Sequence, residues 1–539
     1  MRRLCSLLSA LFICGGLLMA GCSRPPDNRE SSSGTASSPR DTSTAGSASG
    51  TSSASAGSAS ETTESTEGVK TSPTTKGKTS AATKKPTTVS TQNSTPPGVR
   101  NPLDTKPSGE TAGLMAPMTS QSDAKANAMR DGIRKAKDTL KASGTTYYVS
   151  NTGNDNNSGT SPSHAWATIN KVNSWDYSAG DVVLFNRGDI FRGTITAKAN
   201  LSYGAYGAGD KPAIYGAREN AAGAEWKKVS DNIWMINSYV FNDIGNIVFN
   251  HGEAVGRKKL QNTLTANYHF YHNKETGQLY LYMDKGNPAK IFKDIELCEK
   301  KNIIMISDIS NVTIENLCLK YGGGHGIGGQ NFVNVTIRGC ELAWIGGSLL
   351  FGTTRYGNAV ECWENCDNFL VENCYIYQIY DTGITHQGEA QNVRMKDITY
   401  RNNLIDYCTW GIEYFHRNSS ALMSNVLFEG NIIRFTGYGW GNQRPDKSDA
   451  SGIKSWGHPN RAENFVVRNN TFDTAFFDLF EFLAGAGVSN LPKLSGNTYV
   501  QKLNKQAGRY GSTRMTFDED IAQSMKNCSM EHNPTILFN

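Results

Sequence analysis

Between Phe12 and Tyr147 the chain has no aromatic residue, and from Ser23 to about Gln121 it is dominated by Ser, Thr, Gly, Ala and Pro. Such a stretch cannot bury enough apolar surface to build a core. The apolar run after Met1-Arg2-Arg3 stops at Met19, too short for a confident membrane span. No CxxC units pair at zinc-like spacing among the eleven cysteines, and no adjacent Asp-Asp pair occurs. The formal charge of +5 comes partly from the N-terminal segments, and no basic stripe carries interleaved aromatics. Nucleic-acid binding is therefore set aside.

What stands at the N-terminus has the form of an export signal: a basic start, a short apolar run, then Ala20-Gly21-Cys22. Leu18 to Cys22 resembles a bacterial lipobox, with Met19 a mild departure, which implies lipid modification of Cys22. The expectation is a signal over 1–22, a tether over 23–121 and a short helix over 122–144, with Ser122 or Asp123 as N-cap. A tether of that length has an r.m.s. span of roughly 50 to 60 Å. It would hold an exported domain off the membrane that its lipid enters. Once Cys5, Cys14 and Cys22 are assigned to the signal, Cys340 and Cys374 are expected to pack as small apolar residues, bridging being the alternative.

From Asn311 onward one nine-residue pattern recurs six times, beginning at Asn311, Asn334, Asn368, Asp397, Asn425 and Asn464, with a degenerate seventh copy at Leu491. Each reads Asn or Asp, apolar, variable, apolar or Tyr, variable, Asn or Gly, a small or amide residue, variable, apolar. The period-two alternation means short strands with one buried face, and the recurrence means a solenoid. One strand per coil, stacked in parallel, gives an all-β parallel β-helix with like positions about 4.8 Å apart. The seventh positions then form one column, Leu317, Cys340, Cys374, Asn403, Asn431, Asn470 and Asn497, in which buried amides bond from coil to coil. The solenoid is expected over 145–500, with a small antiparallel insertion at about 225–299 and a cap or tail over 501–539.

The opening Tyr147–Ile169, the strand from Gly180 and Pro212-Ala213-Ile214-Tyr215-Gly216 resemble the first coils of right-handed parallel β-helix proteins that act on polysaccharides. Those include pectate-lyase-like lyases and several glycoside hydrolase families. The resemblance implies fold more firmly than reaction, because one fold hosts several chemistries.

After each copy comes a second strand: Ala359–Trp363, Gly383–Gln387, Gly411–Phe415, Gly452–Trp456 and Asp478–Phe482. With Val or Ile pointing inward, its successors form an exterior column Glu361, Thr385, Glu413, Lys454 and Phe480. A second column runs Trp363, Gln387, Phe415, Trp456 and Phe482. Carboxylates and a lysine flanked by aromatics suit a sugar groove, since aromatic faces pack on sugar C–H faces and charged groups polarise the linkage. Trp363, Gln387, Trp410, Phe415 and Trp456 are the substrate-binding candidates, with Trp440 a further stacking candidate.

A hydrolase would draw its acid and base from Glu361, Asp381 and Glu413, the two glutamates lying two coils apart, about 9 to 10 Å between backbones, at the upper edge of the carboxyl separation of an inverting enzyme. A uronate lyase would use Lys454, Arg417 or Arg444 as base, with calcium as a possible cofactor near Asp446 and Asp449. No other cofactor is implied. Gly324-His325-Gly326 and Gly452-Ile453-Lys454 look like polygalacturonase fragments. The second lacks its Arg, however, and no Asn-Thr-Asp precedes His325, which reads equally well as a turn residue. His386 should face inward, while His416 and His458 sit further along their coils. The reading is an exported, lipid-anchored enzyme of polysaccharide cleavage, a glycoside hydrolase before a lyase. The rival is a surface module that binds glycan or protein without chemistry.

Overall fold

The computed structural model describes residues 118–444, 449–456, 461–483 and 491–539. Cys22, the signal, the tether up to residue 117, Asp446 and His458 lie outside them. Among the described residues an 18-stranded sheet and a ten-stranded sheet run the length of a stack of coils. Apart from one antiparallel pair near the C-terminus (Lys505–Tyr510 with Thr513–Phe517), both are built from parallel pairs between successive coils, so the expected solenoid is present.

The nine-residue pattern now has a backbone explanation. Its first position is left-handed in all six regular copies (Asn311 φ 59°, Asn334 53°, Asn368 52°, Asp397 56°, Asn425 54°, Asn464 51°). So is the sixth, at Asn316, Gly339, Asn373, Asn402, Gly430, Asn469 and Gly496. Asn, Asp and Gly tolerate that region at least cost, which is why the two bends recur as those residues. The second and fourth positions point inward and stack as Val312, Val335, Phe369, Ile398, Val426, Phe465 and as Ile314, Ile337, Val371, Tyr400, Phe428, Val467.

The seventh-position column behaves as expected. Asn403 donates to Asn431 Oδ1 through both its backbone N–H and its amide, each at 3.0 Å, and Asn431 does the same to Asn470. Asn470 passes the pattern to Asn497, and Asn497 ends on the carboxylate of Glu531, which also accepts from Tyr499 Oη at 2.8 Å. Cys340 and Cys374 occupy the same column as buried free thiols.

The helix is Asp123–Arg134, and the Ser122 hydroxyl does not cap it but bonds Asp473. The segment around it runs along the stack as a strap. Ser120 Oγ also meets Asp473, Asp123 pairs with Arg434 (2.8 Å), Arg134 with Glu341 (2.9 Å), Thr139 N–H with Glu315, and Asp138 with Arg187. The insertion forms a three-stranded sheet (Ile244–Phe249, Ala254–Val255, Ile295–Glu299) and a five-stranded sheet around its own apolar cluster. It grips the Ser348–Tyr356 hairpin: Leu349 N–H donates to Asp243 Oδ2 (2.6 Å), and Arg355 donates to Gly245 O (2.9 Å).

Truncating a rung of the amide column strands the Asn403 donors and the Tyr400 carbonyl that Asn431 serves. Asn431→Ala is expected to lower stability by about 3 kcal/mol, read as a lower urea midpoint. An unchanged midpoint would show that the column contributes nothing to stability.

Candidate active site

Register pairs the second strands residue by residue: Gly328 with Glu361, Glu361 with Thr385, Thr385 with Glu413, Glu413 with Lys454, and Lys454 with Glu481. The alignment is therefore one residue off in its last member. Ile453 pairs with Phe480, so Phe480 and Phe482 point into the apolar core and Glu481 continues the outer column. A one-residue slip exchanges the faces of a strand. The columns also differ from expectation in burial: Glu361, Glu413, Lys454, Gln387, Trp363 and Phe415 lie outside the coil interior yet are buried. Part of the covering is Tyr356 of the hairpin, which packs edge-on against His325 at 5.0 Å.

Glu413 is the centre of the arrangement. Its Oε1 accepts from Trp456 Nε1 at 2.5 Å, and its Oε2 accepts from Gln387 Nε2 at 2.7 Å and Thr382 Oγ1 at 3.1 Å. Burial, followed by the charge of Asp381, raises its pKa to about 7. The bonds from Trp456 and Thr382 work against that rise and the charge of Glu361 adds to it. A carboxyl poised there can give or take a proton at neutral pH.

Asp381, in the turn between the coils, pairs with Arg444 Nη1 at 3.0 Å, and the Arg444 guanidinium lies 4.6 Å from the Trp410 ring and 5.1 Å from that of Tyr380. Glu361 Oε2 accepts from Asn358 Nδ2 at 2.6 Å and lies 2.8 Å from His325 Nδ1.

Lys454 pairs with Glu481, not with Glu413, and its Nζ sits 4.3 Å from the Trp456 ring centre. Arg417 pairs with Glu389. The three lyase-base candidates thus each face a carboxylate. Beside Lys454, burial and the charge of Glu481 raise Asp478 to about 7. Trp410 donates its Nε1–H to Asp449 O at 2.8 Å, Trp363 packs edge-on to Phe415, and Trp440 is wholly buried, donating to Gln378 O. Trp440 is a packing residue. His386 faces inward, 2.9 Å from Tyr400 Oη, and burial lowers its pKa to about 3. Among the described residues no three His, Cys, Asp or Glu side chains converge as a metal site.

His325, Asn358 and Thr382 were not assigned to the site from sequence. The signals in the sequence were the Gly324-His325-Gly326 fragment, set aside for want of its usual partners, and Gly328, a glycine heading the column that continues as Glu361.

Residues 285–498 match the family model described as right handed beta helix region. The protein is a right-handed parallel β-helix. Over 103 residues the β-helix chain is 37% identical to lacto-N-biosidase of Bifidobacterium longum subsp. longum, a match covering 17% of this chain and 6% of that protein. Among solved structures, a complex of XylC with xylose aligns over 69% of this chain and 73% of its own, at 12% identity and TM-score 0.40. The pectate lyase Pel9A aligns over 67% and 70%, at 11% identity and TM-score 0.34. The GH136 lacto-N-biosidase from Eubacterium ramulus (native protein) aligns over 73% and 68%, at 13% identity and TM-score 0.29.

A carboxyl whose pKa rises on folding binds its proton more tightly in the folded state. The stability it contributes is complete below its ordinary value of 4.5 and is lost as pH rises to about 7. Wild type is therefore expected to lose stability relative to Glu413→Gln between about pH 4.5 and 7 and no further above that range. Urea midpoints of the two proteins at stepped pH check this, and parallel curves would contradict the raised value.

Proposed function

We propose that this protein is an extracellular carbohydrate-active enzyme, a glycoside hydrolase in which Glu413 is the general acid. The observation that carries the reading is the Glu413 carboxyl itself: buried, raised to about 7, and lodged between the Trp456 indole and the Gln387 amide. In that state it holds a proton for a departing sugar oxygen near neutral pH. Glu361 stands two coils away, about 9 to 10 Å between backbones, a separation that leaves room for a water in single-displacement, inverting hydrolysis.

Asp381 lies between them and serves differently. Its bond to Arg444 fixes it, and its negative charge helps keep the Glu413 proton in place. The similarity over 103 residues to a lacto-N-biosidase supports a glycosidic bond as the target. The elongated coil face favours a chain-like glycan, which makes a polysaccharide the proposed partner. The signal-like Met1–Cys22 and the Ser/Thr-rich stretch after it support display at the bacterial surface through a lipid on Cys22.

Incubation with a panel of neutral and uronate polysaccharides is expected to release reducing ends without new absorbance from an unsaturated uronate. Glu413→Gln should lower kcat by about 10²- to 10⁴-fold, and NMR of fresh product should show the anomer opposite to that of the substrate linkage. Absorbance of an unsaturated uronate would replace hydrolysis by β-elimination. Binding without turnover would make the face a glycan-holding module.

A further inference from the structure

Gly328 occupies the place in the outer column where the next coil carries Glu361. A Cβ there would lie 2.7 Å from His325 Cβ, 2.9 Å from its Cγ and 3.1 Å from its Cδ2. The missing side chain is what lets the imidazole lie at the head of the column. The ring is held from several sides: its own backbone N–H donates to Asn302 Oδ1 (2.9 Å), Tyr356 packs against it, and Glu361 Oε2 stands 2.8 Å from Nδ1. Among the described residues Nε2 makes no hydrogen bond, and the side chain keeps 14% of its surface exposed.

We propose that His325 and Glu361 form one acid–base unit, with His325 Nε2 as the atom that takes the proton from the attacking water. This deepens the hydrolase reading and rests on it. The short Nδ1 to Oε2 contact requires a proton between the two atoms. On the ring, that proton leaves Nε2 with a bare lone pair. On the carboxyl, it makes Nδ1 the acceptor, a place at which the Asn358 backbone N–H also points from 3.1 Å, and puts the ring proton on Nε2, where the ring is no base. The groups facing the imidazole are Glu361 and the Tyr356 phenol, with Lys300 Nζ 5.7 Å from the centre of the Tyr356 ring.

In the reaction a water O–H bond breaks and its proton goes to Nε2. The water oxygen bonds the anomeric carbon, the glycosidic C–O bond breaks, and the leaving oxygen takes the Glu413 proton. The imidazolium so formed faces the Glu361 carboxylate.

Long-range ¹H–¹⁵N spectra of histidine-labelled protein test the pair without any substrate. At neutral pH we expect His325 protonated at Nδ1 and bare at Nε2, with that preference lost in Glu361→Ala and in Gly328→Ala, whose added methyl displaces the ring. A proton on Nε2 in the wild type overturns the proposal. On a polysaccharide that the panel shows to be cleaved, His325→Gln should lower kcat by about 10²-fold or more with KM within about threefold. A wild-type kcat in His325→Gln beside an inactive Glu413→Gln removes the His325 role and leaves the hydrolase reading standing. A silent panel removes the hydrolase reading, while the tautomer still decides whether the pair exists.

Discussion

Everything distinctive about this molecule depends on keeping successive coils in one register, and the buried amide column enforces it. An Asn side chain that bonds both the backbone and the amide of its neighbour fits only when like positions overlie each other. A slip by one residue would leave several buried donors and acceptors without partners at once, each costing about 1 to 3 kcal/mol. Outside the coils a second amide row repeats the constraint, with Asn334 on Asn311, Asn368 on Asn334 and Asn464 on Asn425, each at 2.8 Å.

The site is a product of that register. Glu361, Thr385 and Glu413 share a line because their strands are in step, and a carboxyl in such a line takes its chemical character from its neighbours. Glu413 sits where burial and the charges of Asp381 and Glu361 outweigh its hydrogen bonds, so its affinity for a proton rises. Glu341, also buried, goes the other way: Lys320 and Arg134 hold it down at about 2 in spite of burial. The same residue type on the same scaffold holds its proton up to about neutral pH in one place and is a fixed anion in the other.

The repeating part of this design was legible in the sequence because each bend needs a left-handed residue and each inward position needs an apolar one. That legibility stopped where the copies diverge. The last second strand, Asp478–Phe482, offers Phe480 and Phe482 as one alternating set and Glu481 between them. Pattern alone cannot choose which set faces the core, and the pairing of Ile453 with Phe480 decides it. Burial of the candidate site was also out of reach. Its cover includes Tyr356, whose hairpin is held by Asp243 and Gly245 of the insertion, residues more than 100 positions away. His325 stood out in its Gly-His-Gly fragment, but what the sequence could not show was its contact with Glu361, which depends on a side chain that Gly328 does not have.

The strap gives the molecule an unexpected mechanical polarity. Its first described contacts, Met118 with Tyr407 and Ser120 with Asp473, lie on late coils, and only after Asp138 has met Arg187 does the chain enter the first strand at Thr146. Tension arriving along the chain before Met118 is therefore received near the far end of the stack. It is borne in shear by the ion pairs of Asp123 and Arg134, which must give way before the opening coil can be peeled from its neighbour.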